Sequence, residues 1–379
     1  MCSDLVVFGE DWGGHPSSTQ HLVRHLSLGR AVVWVNSIGL RRPRLSAADL
    51  GRVWRKLKAM CGGAHLTNAV APVAQMGQQP FVLAPRAVPW PGNPLARWLN
   101  RRLLGHQVGS VLAAQRMQRP ILWISLPTAV DAIGELNEAA VVYYCGDDFS
   151  ALAGVDHGPV QRLEQELAER ADLILVASPM LAARFPPHKT KLLPHGVDWT
   201  LFSRPTSRAS DLPVGPVAGF YGSLAEWLDQ ALLVELARQL PHWQFVLIGT
   251  ASVDVSRLEA CDNVHLLGPR SHKQLPSYVQ HWDVSLLPFC DNTQIRACNP
   301  LKLREYLAAG TPIVATDFPA LVEYGDLLTV ATDTDDFVQA MQAALAEGRN
   351  RAAQRSERVR VESWSTRAAQ VDVWLEQLP

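Results

Sequence analysis

Residues 299–316 read NPLKLREYLAAGTPIVAT and put a lysine and a glutamate one helical turn apart, just inside a helix start. Asn299 is a strong N-cap type, and Pro300 suits a first helical position, where its missing N–H removes no intrahelical bond. Residues 301–309 then read as a helix. Gly310 follows as the left-handed residue that ends it, and PIVAT is a short buried strand. A helix N-terminus offers N–H groups and a partial positive charge to a phosphate. Leu301 and Lys302 open that turn, and Lys302 adds a full charge to it. Glu305, on the same face, offers a carboxylate to a ribose diol. The same pair also fits a solvent-exposed Lys–Glu contact worth a few tenths of a kcal/mol, and the segment alone does not choose.

The elements around this segment must place it. The chain has 379 residues, more than one core usually serves. Apolar runs alternate with helical patterns: DLVVFGE, a Gly-rich turn, STQHLVRHL, AVVWVN, ILWIS, AVVYYCGDD, PVQRLEQELAERA, DLILVAS and KLLPHGVD. FSRPTSRASDLPVGP, residues 202–216, has linker composition. A second series follows, from VAGFYGS through QFVLIG, NVHLLG and VSLLPF to PIVAT and LLTVA. This alternation predicts an α/β chain of two Rossmann-like, doubly wound domains facing a central cleft. The expected division is 1–205, 206–362, and a terminal helix at 363–379 packing back on the first domain. Ligands of such sheets sit at the carboxyl ends of the strands.

Hydrophobic residues make up 47% and charged residues 19%, within the globular range. The net charge is −1, but residues 1–120 carry fifteen basic and four acidic side chains, a surplus of eleven, so the remainder carries −12. That asymmetry points to an anionic partner for the first half. The six cysteines, Cys2, Cys61, Cys145, Cys261, Cys290 and Cys298, show no C-x-x-C spacing, which argues against a zinc or dithiol motif and fits a reducing cytosol. The N-terminus enters a strand directly, without a signal-peptide pattern, and no stretch has the length of a transmembrane helix.

Taken together, DWGGHPSSTQHLVRHL, YYCGDDFS, ADLILVAS, LLPHGVDWTLF, GFYGSLAEWLD, LPSYVQHWDVSLLPF and PLKLREYLAAGTPIVAT resemble the GT-B glycosyltransferases that build bacterial exopolysaccharide and related surface glycans. The resemblance runs over nearly the whole length. It implies a nucleotide-sugar donor, expected to be a UDP-sugar, on the C-terminal domain and an acceptor on the N-terminal one. Many retaining members carry a glutamate eight residues before the one matching Glu305. Here that position is Ala297, which favours an inverting reaction of the glucuronosyltransferase kind.

Within that frame Gly222 lets backbone approach the donor, Ser223 adds a hydroxyl and an N–H, and the start at Asn299, Pro300, Leu301 and Lys302 holds the diphosphate. Arg270, in LLGPRSH, reads equally as a donor contact or a surface arginine. Gly13 and Gly14 could pass close to phosphates or acceptor. His15 reads equally as a contact and as a structural histidine. The loop is not G-x-G-x-x-G, so a nicotinamide cofactor is unsupported. An inverting transfer needs one carboxylate to take the acceptor's proton. Asp147, at the end of a strand, is the first choice. Asp148 is second, with capping of the next helix the stronger reading for it, and Asp11 is third. DTDD at 333–336 reads as a helix cap rather than a metal site. No metal or other cofactor is expected.

Residues 41–58 form a basic amphipathic pattern with Trp54, and residues 95–105 add Trp98, Arg101 and Arg102. Either alone also fits a helix packed on its own domain with a solvated basic face; together, in the basic half of the chain, they suit an anionic membrane surface, and hence a lipid-linked acceptor. The expected location is cytoplasmic, peripheral to the inner membrane. No nucleic-acid module is recognisable. Two other classes would keep the same donor site: a GT-B-fold sugar-nucleotide epimerase and a catalytically silent subunit of a glycan-assembly complex.

Overall fold

The computed structural model describes residues 3–14, 17–39, 79–149 and 156–379. His15 and the 41–58 segment lie outside the described residues. The chain divides into two compact units. One comprises Met1–Leu193 with Arg367–Pro379, the other Pro194–Thr366.

The first unit is a seven-stranded parallel sheet of β1 (Leu5–Phe8), β2 (Val32–Val35), β3 (Phe81–Leu83), β4 (Ile121–Ile124), β5 (Ala140–Cys145), β6 (Leu173–Val176) and β7 (Thr190–Leu192), in the order β3-β2-β1-β4-β5-β6-β7. LVVF, VVWV, ILWI and LILV are buried at every position. Unbroken apolar runs are what a parallel sheet covered on both faces demands. The second unit repeats the plan with β8 (Val217–Tyr221), β9 (Gln244–Ile248), β10 (Val264–Leu266), β11 (Val284–Leu287), β12 (Ile313–Ala315) and β13 (Thr329–Val330), in the order β10-β9-β8-β11-β12-β13. Each sheet reverses its strand order at its first strand, between β1 and β4 and between β8 and β11. Those are the switch points at which open α/β sheets leave a crevice.

Packing at the second switch point is tight. A Cβ added to Gly219 in β8 would lie 2.0 Å from the Trp282 ring, so only glycine lets that indole lie on the strand.

The 202–216 stretch is not a free linker. Gln280 donates to the Phe202 and Arg204 carbonyls at 2.7 and 2.8 Å, and accepts from the Thr206 N–H at 2.9 Å. The Ala209 N–H donates to the Ser277 carbonyl at 3.0 Å. Its polar composition is therefore spent on bonds within the second unit, and the division falls at Leu193–Pro194 rather than near residue 205. At the other end, helix Trp364–Leu375 passes into the first unit, where Asp372 pairs with the buried Arg30 guanidinium. Among the described residues no helix is long and apolar enough to cross a membrane.

Candidate functional site

The second sheet supplies one constellation. β8 ends at Tyr221, and Gly222 follows with φ 137°, a region few side chains adopt. A Cβ there would lie 2.4 Å from Lys302 Cε and 2.8 Å from Nζ. The missing side chain at Gly222 is what lets the lysine reach over the strand end. The Lys302 ammonium also sits 5.4 Å from the Phe220 ring and 5.9 Å from the Phe289 ring, close enough for cation–π attraction. Ser223 is exposed beside it.

Lys302 lies in the first turn of helix Leu301–Ala309, which Gly310 ends in the left-handed conformation at φ 77°. The cap differs from the sequence expectation. Pro300 occupies the N-cap position without a side-chain bond, and Asn299 does not cap. Its side-chain oxygen instead accepts from Arg304 Nη1. Arg304 is 1% exposed and pairs with Glu362 at 2.7 Å. The Tyr324 hydroxyl and Arg358 also donate to Glu362, each at 2.7 Å. The Asn299–Pro300 entry is thus anchored from inside by a buried pair, of a kind that typically costs about 3–5 kcal/mol to break from one side. No side chain caps the helix start, and the partial positive charge of a helix N-terminus suits an anion.

Glu305, one turn on, is only 6% exposed. Its Oε2 accepts from the Tyr221 hydroxyl and its Oε1 bonds to His272 Nε2 at 2.6 Å. Burial first, and then the Glu305 charge, hold the Tyr221 phenol well above its ordinary pKa, so it stays a donor. The simple surface Lys–Glu pair is excluded by this geometry. Arg270, by contrast, is occupied: it donates to the Leu267 carbonyl at 2.6 Å, to the Tyr278 oxygen at 2.9 Å and to Asp211 at 2.8 Å. It braces its own loop, and bonding to Arg270 is the main reason Asp211 titrates below the usual carboxylate range.

In the first unit, the turn after β1 is held by the buried Gln20 and the half-buried Asn36. Gln20 accepts from the Gly13 N–H at 3.3 Å and donates to the Asp11 carbonyl at 3.4 Å, and Asn36 accepts from the Trp12 N–H at 3.0 Å. Gly13, Gly14 and the Asp11 side chain are exposed. Beyond β5, Asp147 is exposed. Asp148 is held in an ion pair. Arg184 bonds it at 2.6 Å and also holds the buried Glu164 at 2.6 Å. The next helix, His157–Arg170, has Asp156 at its N-cap. Burial raises the Tyr144 phenol, a bond from Ser18 opposes that, and the charges of Asp147 and Glu10 add to the rise. Cys145 is 0% exposed, and burial followed by the Glu164 charge keeps its thiol protonated. Asp333 of the DTDD segment accepts from the Asp336 N–H at 2.9 Å as the N-cap of helix Thr334–Glu347.

Tyr221, His272, Arg304 and Glu10 were not picked out from the sequence. His272 lies in the same RSH segment as Arg270, which was the available signal.

Residues 215–347, which contain β8, Lys302 and Glu305, match the model of the family described as glycosyl transferases group 1. The chain carries a group 1 glycosyltransferase domain. A Bacillus subtilis (strain 168) protein described as a teichuronic acid biosynthesis glycosyltransferase, TuaH, is 29% identical over 234 residues, covering 55% of this chain. The match spans 58% of that relative's length. Among solved structures, Anabaena HepE in complex with UDP and glucose superposes with a TM-score of 0.69 at 13% identity, covering 99% of this chain and 100% of that one. Sucrose-phosphate synthase from Thermosynechococcus elongatus gives 0.68 at 16% identity, covering 99% and 98%. At these identities the likeness establishes the fold: around the group 1 domain, the chain is GT-B.

Proposed function

We propose that the protein is a glycosyltransferase that moves a sugar from a UDP-sugar to a lipid-linked or polysaccharide acceptor, with inversion and without a metal. The observation that carries it is the convergence of Gly222, the Lys302 ammonium, the uncapped helix start and Glu305 at the carboxyl edge of the second sheet. Departure of a nucleoside diphosphate builds negative charge on its outer phosphate. A lysine and a helix N-terminus already in place meet that charge without reorganising and without needing a divalent ion. The carboxylate one turn on suits a ribose. The choice of UDP draws on HepE, solved with UDP and glucose.

In this reading Asp147, exposed at the end of β5, takes the proton of the attacking hydroxyl. Inversion rests on Ala297, which is buried where the retaining pattern has a glutamate. The same alanine also fits a silent subunit, which would bind donor and transfer nothing.

The test is thermal unfolding with UDP, GDP and NAD. A ligand at a hundred times its Kd stabilises by about 2.7 kcal/mol, or roughly 5–10 °C for a chain of this size. A shift with UDP and none with NAD is expected, followed by sugar transfer to a lipid-linked acceptor that survives chelation of divalent ions. A flat panel on folded protein would sink the reading.

The lipid-linked acceptor is supported by the start of helix Pro94–Gln115. Leu95 is 73% and Trp98 57% exposed, and the Arg102 guanidinium lies 6.0 Å from the Trp98 ring. Aromatic and basic groups side by side suit the interface of an anionic bilayer. Co-sedimentation with phosphatidylglycerol vesicles should fall in Trp98→Ala/Arg102→Gln and in high salt, each lost cation weakening binding by about 1 kcal/mol. Equal pelleting with neutral vesicles would remove this support.

A further inference from the structure

We propose that His272 is a positioning residue for the donor's ribose. Its imidazole N–H, with the Tyr221 hydroxyl, holds the Glu305 carboxylate in the orientation that accepts a vicinal diol. This rests on the donor reading above and adds to it a residue outside the segment that carries Lys302.

An ionised carboxylate only accepts, so the 2.6 Å contact from His272 Nε2 to Glu305 Oε1 places a proton on that nitrogen. Tyr221 donates to the other oxygen. One donor on each oxygen fixes the plane of the carboxylate. A carboxylate offers about four lone-pair directions, so about two remain, which is the requirement of two neighbouring hydroxyls. His272 is itself held. Its ring meets the buried Phe202 edge-on at 5.4 Å. Its backbone opens the short turn His272–Gln274, where Gln274 Oε1 accepts from both the N–H and the hydroxyl of Ser271, at 3.1 and 2.7 Å. Tyr221 is fastened by the Tyr306 hydroxyl, which accepts its backbone N–H at 3.2 Å. The end of β8, the turn after β10 and the helix bearing Glu305 therefore all converge on one carboxylate.

Loss of the His272 N–H should weaken what Glu305 does for hydroxyls and spare what Lys302 does for phosphates. The experiment is calorimetric titration of wild type, His272→Phe, His272→Ala and His272→Gln with UDP and with 2′-deoxy-UDP. The Phe variant keeps a ring against Phe202, and Gln keeps an N–H donor. Wild type should prefer UDP by roughly 10–100-fold, the range for hydrogen bonds to a charged group. His272→Phe or His272→Ala should bring that ratio close to one by losing UDP affinity alone, and His272→Gln should restore part of it. An unchanged ratio overturns the inference and leaves the donor site standing. Equal weakening of both nucleotides overturns it too, because a merely structural role would act on both. Absence of UDP binding by the wild type overturns the donor reading and this inference together.

Discussion

Lys302→Ala should lower turnover by about 10²–10³-fold, the usual effect of removing one group aimed at developing transition-state charge. The melting temperature should hardly move. The ammonium lies 5.4 and 5.9 Å from the Phe220 and Phe289 rings, and such contacts are worth about 0.5–1 kcal/mol at partly exposed sites. The contrast is diagnostic because the helix start has its own anchor, through Arg304 to Asn299 and Glu362. Turnover and thermal unfolding should be measured on the same preparation with a UDP-sugar as donor. Wild-type turnover in this variant would mean that the diphosphate is held elsewhere. A matching collapse of stability would mean that the lysine is structural.

Asp147→Asn should cost turnover about 10²–10⁴-fold, the span for a positioned general base, with UDP affinity unchanged. The donor groups lie in the second unit and Asp147 in the first, so the two functions should separate. Asp148→Asn is the informative companion. Asp148 is committed to Arg184, which also holds Glu164, so its loss should appear first in stability and only weakly in turnover. If Asp148→Asn were the inactive variant and Asp147→Asn the active one, the base assignment would be reversed. If neither mattered, the exposed Asp11 at the end of β1 would be next to examine.

The local pattern of the sequence was enough for the repeating strand–helix alternation, for helix Leu301–Ala309 with its left-handed Gly310, for helix Ser18–Leu26, and for Asp333 as a cap. Each depends on neighbours within a few residues: apolar periodicity, proline at a start, glycine at an end. It also placed Lys302 and Gly222 at strand and helix ends on the edge where such sheets bind ligands. What each polar side chain does there was decided by partners far along the chain. Asn299 has the type of an N-cap, yet serves Arg304, which Glu362, 58 residues beyond it, holds inside. Arg270 has the charge for a phosphate, yet Asp211 claims it from 59 residues away. Asp148 has the type of a cap, yet Arg184 takes it. Glu305 became an aimed carboxylate only because folding brought Tyr221 and His272 to its two oxygens. Residue type and local spacing therefore determined the elements and the edge on which a site could form. Which charges stay available to a ligand and which are spent on the fold was left to tertiary structure, because a hydrogen bond or ion pair forms at about 3 Å, a proximity that separation along the chain does not reveal.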